Sequence, residues 1–120
     1  MRQEVERGHW AAFLEDFTWR NRHRAARLEI RGWVGAAQAE GDYPLADVTL
    51  HEDGEGAPHV EISLADPAPG GLRVLRGLPR VRLITLWTRP DGSDGALEVE
   101  NDGGERALVC LEPASGLPAA

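Results

Sequence analysis

The chain has 120 residues, a formal net charge of −7 and one cysteine. This length suits a single domain that buries roughly 65% of the surface its unfolded chain exposes, which is enough for a core without disulfides. The acidic balance argues against a general nucleic-acid binder, because that function needs an excess of cations facing phosphate. No apolar run has the length of a signal peptide or membrane span, so the sequence predicts a cytoplasmic protein without membrane association.

The first predicted element is an amphipathic helix near residues 7–21. Large apolar side chains recur there at the i, i+3, i+4 and i+7 spacing of one helix face. They are Trp10, Phe13, Leu14 and Phe17. We expect this stripe to pack on a sheet, rather than to form a ligand-binding groove, and we expect Asn21 to end the helix in the left-handed conformation.

After residue 25, apolar and polar residues alternate with a period of two, which is typical of antiparallel strands with one buried face. The predicted strands lie near residues 25–34, 45–51, 59–65, 72–76, 80–88, 95–101 and 105–111. Segments rich in Gly, Pro, Asp and Asn separate them and predict turns, for example at Glu40–Pro44.

These elements predict an α+β fold in which the N-terminal helix packs on a twisted antiparallel sheet of six or seven strands that curls towards a half-barrel. A small closed barrel with an N-terminal helix, as in Sm-like proteins, is the alternative. The predicted domain spans residues 1–112. Residues 113–120 have nothing to bury, so a disordered tail is expected there.

Several short motifs together resemble a known family. They are Trp10-x-x-Phe13-x-x-x-Phe17-Thr18, Pro44-Leu-Ala-Asp-Val48, and Leu97-Glu-Val-Glu100 followed by Asp102-Gly103. In these motifs the chain is similar to a family of short bacterial proteins classed only as a domain of unknown function, over most of residues 3–112. The resemblance implies one domain, and it transfers no catalytic residue and no cofactor.

Charged residues alternate in blocks along the chain. Residues 20–31 hold five arginines and one acid, residues 40–66 eight acids, residues 73–89 five arginines, and residues 91–105 six acids. One interpretation is that neighbouring strands of opposite sign form ion pairs across the sheet. The other is that arginines from both basic blocks meet on one surface and hold an anionic partner.

The end of the predicted helix carries the first group of candidate binding residues. These are Trp19, Arg20, Arg22, His23 and Arg24, with Trp33 on the first predicted strand as a further candidate. Tryptophan beside guanidinium groups suits an anionic or aromatic ligand, or a protein interface. The competing interpretation is that Trp19 folds under the connection from helix to strand with an arginine stacked on it.

A candidate metal site lies at a predicted hairpin. His51 and His59 bracket the loop between two strands, so pairing of those strands would bring the two imidazoles together. With a carboxylate such as Asp53 they could bind zinc or another divalent ion. The spacing matches no established zinc motif, and a solvated hairpin tip is the alternative.

No pattern in the sequence indicates catalysis. Cys110 lies in an apolar strand, and no serine has the setting of an activated nucleophile. The sequence therefore favours a non-catalytic module without a cofactor, which binds an unknown protein partner or associates with itself. An anionic-ligand or RNA binder that uses the arginine blocks is the second hypothesis, and a small metal-dependent enzyme is the third.

Overall fold

The computed structural model describes residues 1–32, 37–65 and 74–113, and of residues 37–42 and 74–75 the backbone alone. Within these ranges the chain forms a short 3-10 helix at Arg7–His9, the α-helix α1 at Trp10–Asn21, and eight strands. The strands are β1 (Arg2–Glu4), β2 (Ala25–Arg31), β3 (Ala37–His51), β4 (His59–Leu64), β5 (Val74–Leu78), β6 (Val81–Thr88), β7 (Asp94–Asn101) and β8 (Arg106–Leu111). The predicted α+β class is confirmed.

The strands form one sheet in the order β1-β6-β7-β8-β2-β3-β4-β5, and every neighbouring pair is antiparallel. Only Pro79 and Arg80 separate β5, an edge strand, from β6 near the opposite edge. A chain spans at most about 3.6 Å per residue, so the end of β5 lies within about 11 Å of the start of β6. The sheet must therefore curve strongly at this end, while the half-barrel itself stays a prediction.

The expected count of six or seven strands was too low, because the described residues form eight. Strand β1 escaped prediction because its three residues are all exposed and show no alternation. Strand β3 continues through Glu40–Pro44, which the composition marked as a turn, because this segment pairs with β2 in a register that places Pro44 opposite Ala25. Tertiary pairing here overrides local turn propensity. The expected tail lies outside the described residues, except for Pro113.

The helix ends at Asn21, as predicted, but Asn21 does not have the expected conformation. Asn21 belongs to α1 and is buried, with its Nδ2 donating to the backbone oxygen of Phe17 at 3.0 Å. The left-handed residue is His23, two positions later, with φ 75°. The prediction that Asn21 adopts this conformation was wrong, because its side chain is required inside the fold.

The buried face of α1 follows the predicted stripe. Trp10, Leu14 and Phe17 are buried, and Phe13 is partly buried with its ring centroid 6.1 Å from that of Phe17. They join one hydrophobic cluster with apolar residues of strands β2 to β8. Trp10 Nε1 also donates to the backbone oxygen of Val5 at 2.9 Å, which ties the start of the helix to the segment after β1. In the described part of the chain, no helix is both long and apolar enough to cross a membrane.

The burial of Trp10 yields a stability prediction. We expect Trp10→Ala to lower the free energy of unfolding by about 3 to 5 kcal/mol, the usual cost of truncating a large core aromatic. The matched control is Trp19→Ala on the exposed side of the same helix, which should change stability by less than about 0.5 kcal/mol. Chemical denaturation measures both values. Equal midpoints for the two variants would contradict this assignment of the buried face.

Candidate functional site

A groove of about 470 Å³ lies along the seam between α1 and β3. Its lining residues are Ala12, Glu15, Asp16, Thr18, Trp19 and Arg22 from the helix side and Asp47 from β3. A second depression of about 330 Å³ continues along the same seam and shares Glu15 and Asp47 with the first. We call the two together the α1–β3 groove.

Thr18 fixes the helix against the strand beneath this groove. Its Oγ1 donates to the backbone oxygen of Val48 and accepts from the backbone N–H of Val48, both at 3.1 Å. Asp47 precedes Val48 next to an irregularity in the β3–β4 register, and its Oδ2 accepts from Thr49 Oγ1 at 2.9 Å. The two walls of the groove are therefore held by hydrogen bonds as well as by the core.

Trp19 stands at the lip of the α1–β3 groove. Because α1 continues to Asn21, this indole points away from the buried stripe, and 73% of the residue is exposed. The guanidinium of Arg22 lies 4.7 Å from the ring centroid, a cation–π contact. The expected stacked arginine is present, but Trp19 is not folded under the connection to β2.

Arg20 is held by a buried carboxylate at the start of β7. Asp94, 9% exposed at the start of β7, accepts at Oδ2 from Arg20 Nε at 3.0 Å, from Arg20 Nη2 at 2.9 Å and from Asn21 Nδ2 at 2.7 Å. We call this arrangement the Asp94 clamp. Arg20 also forms an ion pair with Asp16, one helical turn earlier.

Arg24 is similarly occupied. It donates to Asn21 Oδ1 at 2.7 Å and to the backbone oxygens of Asp94 and Glu112. Burial, followed by the nearby charge of Arg89, lowers the pKa of Arg24, and Asp94 and Asp91 partly offset this effect. Arg89 itself donates to the backbone oxygen of Leu111. These two guanidinium groups hold the end of β8. Within the described part of the chain, Arg24 Nε and Arg89 Nη1 are buried without a hydrogen-bond partner.

The structure places the candidate binding residues at the helix end in different surroundings. Trp19 and Arg22 line the groove, Arg20 and Arg24 belong to the Asp94 clamp and its surroundings, and His23 is exposed at the following turn. Trp33 lies outside the described residues. No single arginine surface forms from this group.

The basic block on β6 pairs with acids across the sheet. Arg82 Nε donates to Glu100 Oε2 at 2.9 Å, and Arg106 Nε lies 2.9 Å from Glu100 Oε1. Arg80 Nε lies 3.1 Å from Asp102 Oδ1. These contacts are the cross-strand pairing that the alternating charge blocks predicted, and they cancel the charge of Arg80 and Arg82 locally.

The hairpin places the two histidines together, as predicted. His51 lies opposite His59 in the β3–β4 register with their ring centroids 5.9 Å apart, and His51 Nε2 is 3.3 Å from Glu61 Oε1. The ring of His59 lies over Gly77, where an added Cβ would come within 2.4 Å of Nε2. Asp53 is exposed at the hairpin tip. Among the described residues, no group of three or more His, Cys, Asp or Glu side chains could hold a metal ion.

Cys110 is half-buried on β8, with its Sγ 3.6 Å from Glu29 Oε2. Burial first, and then the charge and hydrogen bond of Glu29, raise the pKa of this thiol, while Arg27 and Arg31 partly oppose the shift. A raised thiol pKa leaves less thiolate at neutral pH, which is the reverse of what a cysteine nucleophile needs.

No family model matches the chain, and the comparisons with curated proteins and with solved structures also give no match. The resemblance to a bacterial family of unknown function therefore stays a prediction.

Two parts of this site escaped the sequence analysis. Asp94 lies in a run of Gly, Ser and Asp that reads locally as a turn, and nothing nearby indicates a buried carboxylate. Glu15 and Asp47 come from the helix and from a strand far along the chain. The available signal for Glu15 is its position outside the apolar stripe of α1, which predicts a solvent-exposed side chain.

The Asp94 clamp gives a prediction about the position of the helix end. We expect Asp94→Ala to destabilise the fold by about 1 to 3 kcal/mol, because it leaves buried Asn21 without one of its acceptors. Asp16→Ala removes the other carboxylate of the same arginine at an exposed site and should change stability by less than about 0.5 kcal/mol. Urea denaturation compares the two. Equal losses would show that the clamp is no more important than a surface ion pair.

The setting of Cys110 gives a prediction about thiol reactivity. Only the thiolate reacts with iodoacetamide, so a raised pKa slows alkylation at a given pH. Removing the negative charge in Glu29→Gln should lower the thiol pKa and speed the reaction at pH 8. Removing the positive charge in Arg27→Gln should raise the pKa and slow the reaction. Changes in the same direction for both variants would contradict this electrostatic account.

Proposed function

We propose that this chain is a non-catalytic binding module that takes a segment of a partner protein into the α1–β3 groove. The observation that carries the proposal is the 73% exposure of Trp19 at the lip of a groove of about 470 Å³. Tryptophan and arginine are the residue types most enriched among the side chains that dominate binding energy, and Trp19 and Arg22 occur together here.

The groove suits an extended segment better than a small enclosed ligand. It is open and continues along the seam between α1 and β3 past Glu15 and Asp47. Two hydroxyl-bearing residues line it, and both form hydrogen bonds within the chain: Thr18 exchanges two with the backbone of Val48, and Thr49 donates to Asp47. The groove thus offers contact area and charge, and both of its hydroxyls are engaged within the fold.

The anionic-ligand and RNA hypothesis has less support at this site. Arg20, Arg80 and Arg82 form ion pairs with acids, and Arg24 donates to Asn21 and to backbone oxygens. Carboxylates from Glu15, Asp16 and Asp47 line the groove beside Trp19 and would repel phosphate. A protein partner is therefore the better match.

The proposal includes the setting of the module. We place it in the cytoplasm, because its one cysteine is a free thiol, as is usual in a reducing compartment. We also propose that the sheet is a half-barrel, because the two-residue link between β5 and β6 requires strong curvature. The resemblance to a family of bacterial proteins is kept as part of the same hypothesis.

Crosslinking in cells of the source organism tests the proposed function. A photoreactive residue in place of exposed Ala12 in the groove should trap a partner, and Trp19→Ala should weaken capture by roughly 30-fold or more, as expected for a dominant side chain. Trp87→Ala is the matched control, since Trp87 is also exposed, at 39%, with the guanidinium of Arg2 5.8 Å from its ring. Capture that is unaffected by Trp19→Ala would refute the proposed function.

Self-association is distinguished by sedimentation of the purified protein. A dimer that forms at micromolar concentration and dissociates in Trp19→Ala, but not in Trp87→Ala, would identify a second copy of the chain as the partner. A concentration-independent monomer, together with a crosslinked second protein, would identify a different partner.

A further inference from the structure

We propose that the segment bound in the α1–β3 groove is basic, and that it places an arginine or lysine cation between the Trp19 ring and the carboxylates of Glu15 and Asp47. This inference rests on the proposed function and names the chemistry of the partner. It depends on the charges that face the groove, on the aromatic ring at its lip and on the balance of charge over the whole chain.

The negative charge of the residues that line the groove is only partly balanced by positive charge. Asp16 shares the cation of Arg20 with Asp94. Glu15 and Asp47 form no ion pair within the described part of the chain. Asp47 is oriented by the hydrogen bond from Thr49 Oγ1 at 2.9 Å. With Arg22 as the single opposing charge, the groove keeps a net negative charge that a cation would neutralise.

The ring of Trp19 already shows the contact that a partner would make. The Arg22 guanidinium lies 4.7 Å from its centroid, so this indole binds a guanidinium within the chain itself. Arg22 covers only part of the side chain, because 73% of the residue stays exposed. A second cation has room on the free part of the ring, where cation–π attraction and two nearby carboxylates act together.

The charge of the whole chain favours the same partner. A net charge of −7 attracts a basic segment from a distance and repels an acidic one. Two arginines lie near the groove, Arg20 and Arg22. Arg20 opposes the attraction less than Arg22 does, because Arg20 is already paired with both Asp16 and Asp94. Both the net charge of the chain and the carboxylates of the groove therefore favour a positively charged partner.

A peptide titration tests the inference. The probe is a blocked, tryptophan-free peptide of alternating glycine and arginine, and its control has glutamine in place of every arginine. Binding is followed by the indole N–H resonance of Trp19 in the 15N-labelled protein at low salt. We expect the arginine peptide to shift this resonance saturably, the glutamine peptide to leave it unchanged, and 0.5 M salt to weaken the binding.

The variants separate the groove from general charge attraction. We expect the double variant Glu15→Gln and Asp47→Asn to weaken peptide binding by about 3-fold to 10-fold, as the loss of two solvent-accessible charge contacts implies. The matched control is Asp53→Asn with Glu55→Gln, which removes the same charge at the exposed hairpin tip and should weaken binding by less than about 2-fold. Circular dichroism confirms that both variants keep the fold.

The possible results distinguish this inference from the proposed function. Equal weakening by the two double variants, or equal binding of the glutamine peptide, would overturn the basic-segment inference. If Trp19-dependent crosslinking to a partner persists in such a case, the proposed function survives without it. If a short RNA shifts the Trp19 resonance while the arginine peptide does not, the inference fails and the anionic-ligand hypothesis replaces it.

Discussion

The carboxylate oxygen Oδ2 of Asp94 accepts hydrogen bonds from both Arg20 and Asn21, and in this way it holds the last turn of α1 against the start of β7. Without this acceptor, burying the side chain of Asn21 would leave one of its donors unpaired, which is costly in an apolar environment. The helix can therefore continue as far as Asn21. This continuation in turn determines that Trp19 faces solvent and that Thr18 faces β3, where it bonds to Val48.

Elsewhere in the fold, arginines and acidic residues are arranged in two different ways. Across β6, β7 and β8, arginines and acids lie on adjacent strands, so Glu100 can be buried because Arg82 and Arg106 both contact it. Along the α1–β3 seam, in contrast, Glu15 and Asp47 line a groove in which Arg22 is the one lining cation among the described residues. The sheet thus pairs complementary charges, whereas acidic side chains outnumber basic ones along the seam.

The periodic parts of the fold could be predicted from the sequence, and the long-range parts could not. The spacing of Trp10, Leu14 and Phe17 indicated the buried face of α1 because helix geometry is local. Strand β1 has no buried face, so no alternation could reveal it. Whether Trp19 is exposed depended on where the helix ends, and that depends on Asp94, which is more than seventy residues away along the chain. Local propensity carries no information about such a contact.

The same reasoning explains why the surroundings of the arginines at the helix end could not be predicted from the sequence. Arginines at the helix end are conspicuous in the sequence, but two of them bond to residues far along the chain, to Asp94 at the start of β7 and to Glu112 just after β8. Once Arg20 and Arg24 are occupied, the surface around Trp19 is dominated by the acids of α1 and β3. Hydrogen bonds fix Thr18 to Val48 and Asp47 to Thr49, so both walls of this groove are ordered in the chain itself. A groove ordered in this way would lose little conformational entropy on taking up the proposed segment, and a few contacts would then be enough for a specific interaction.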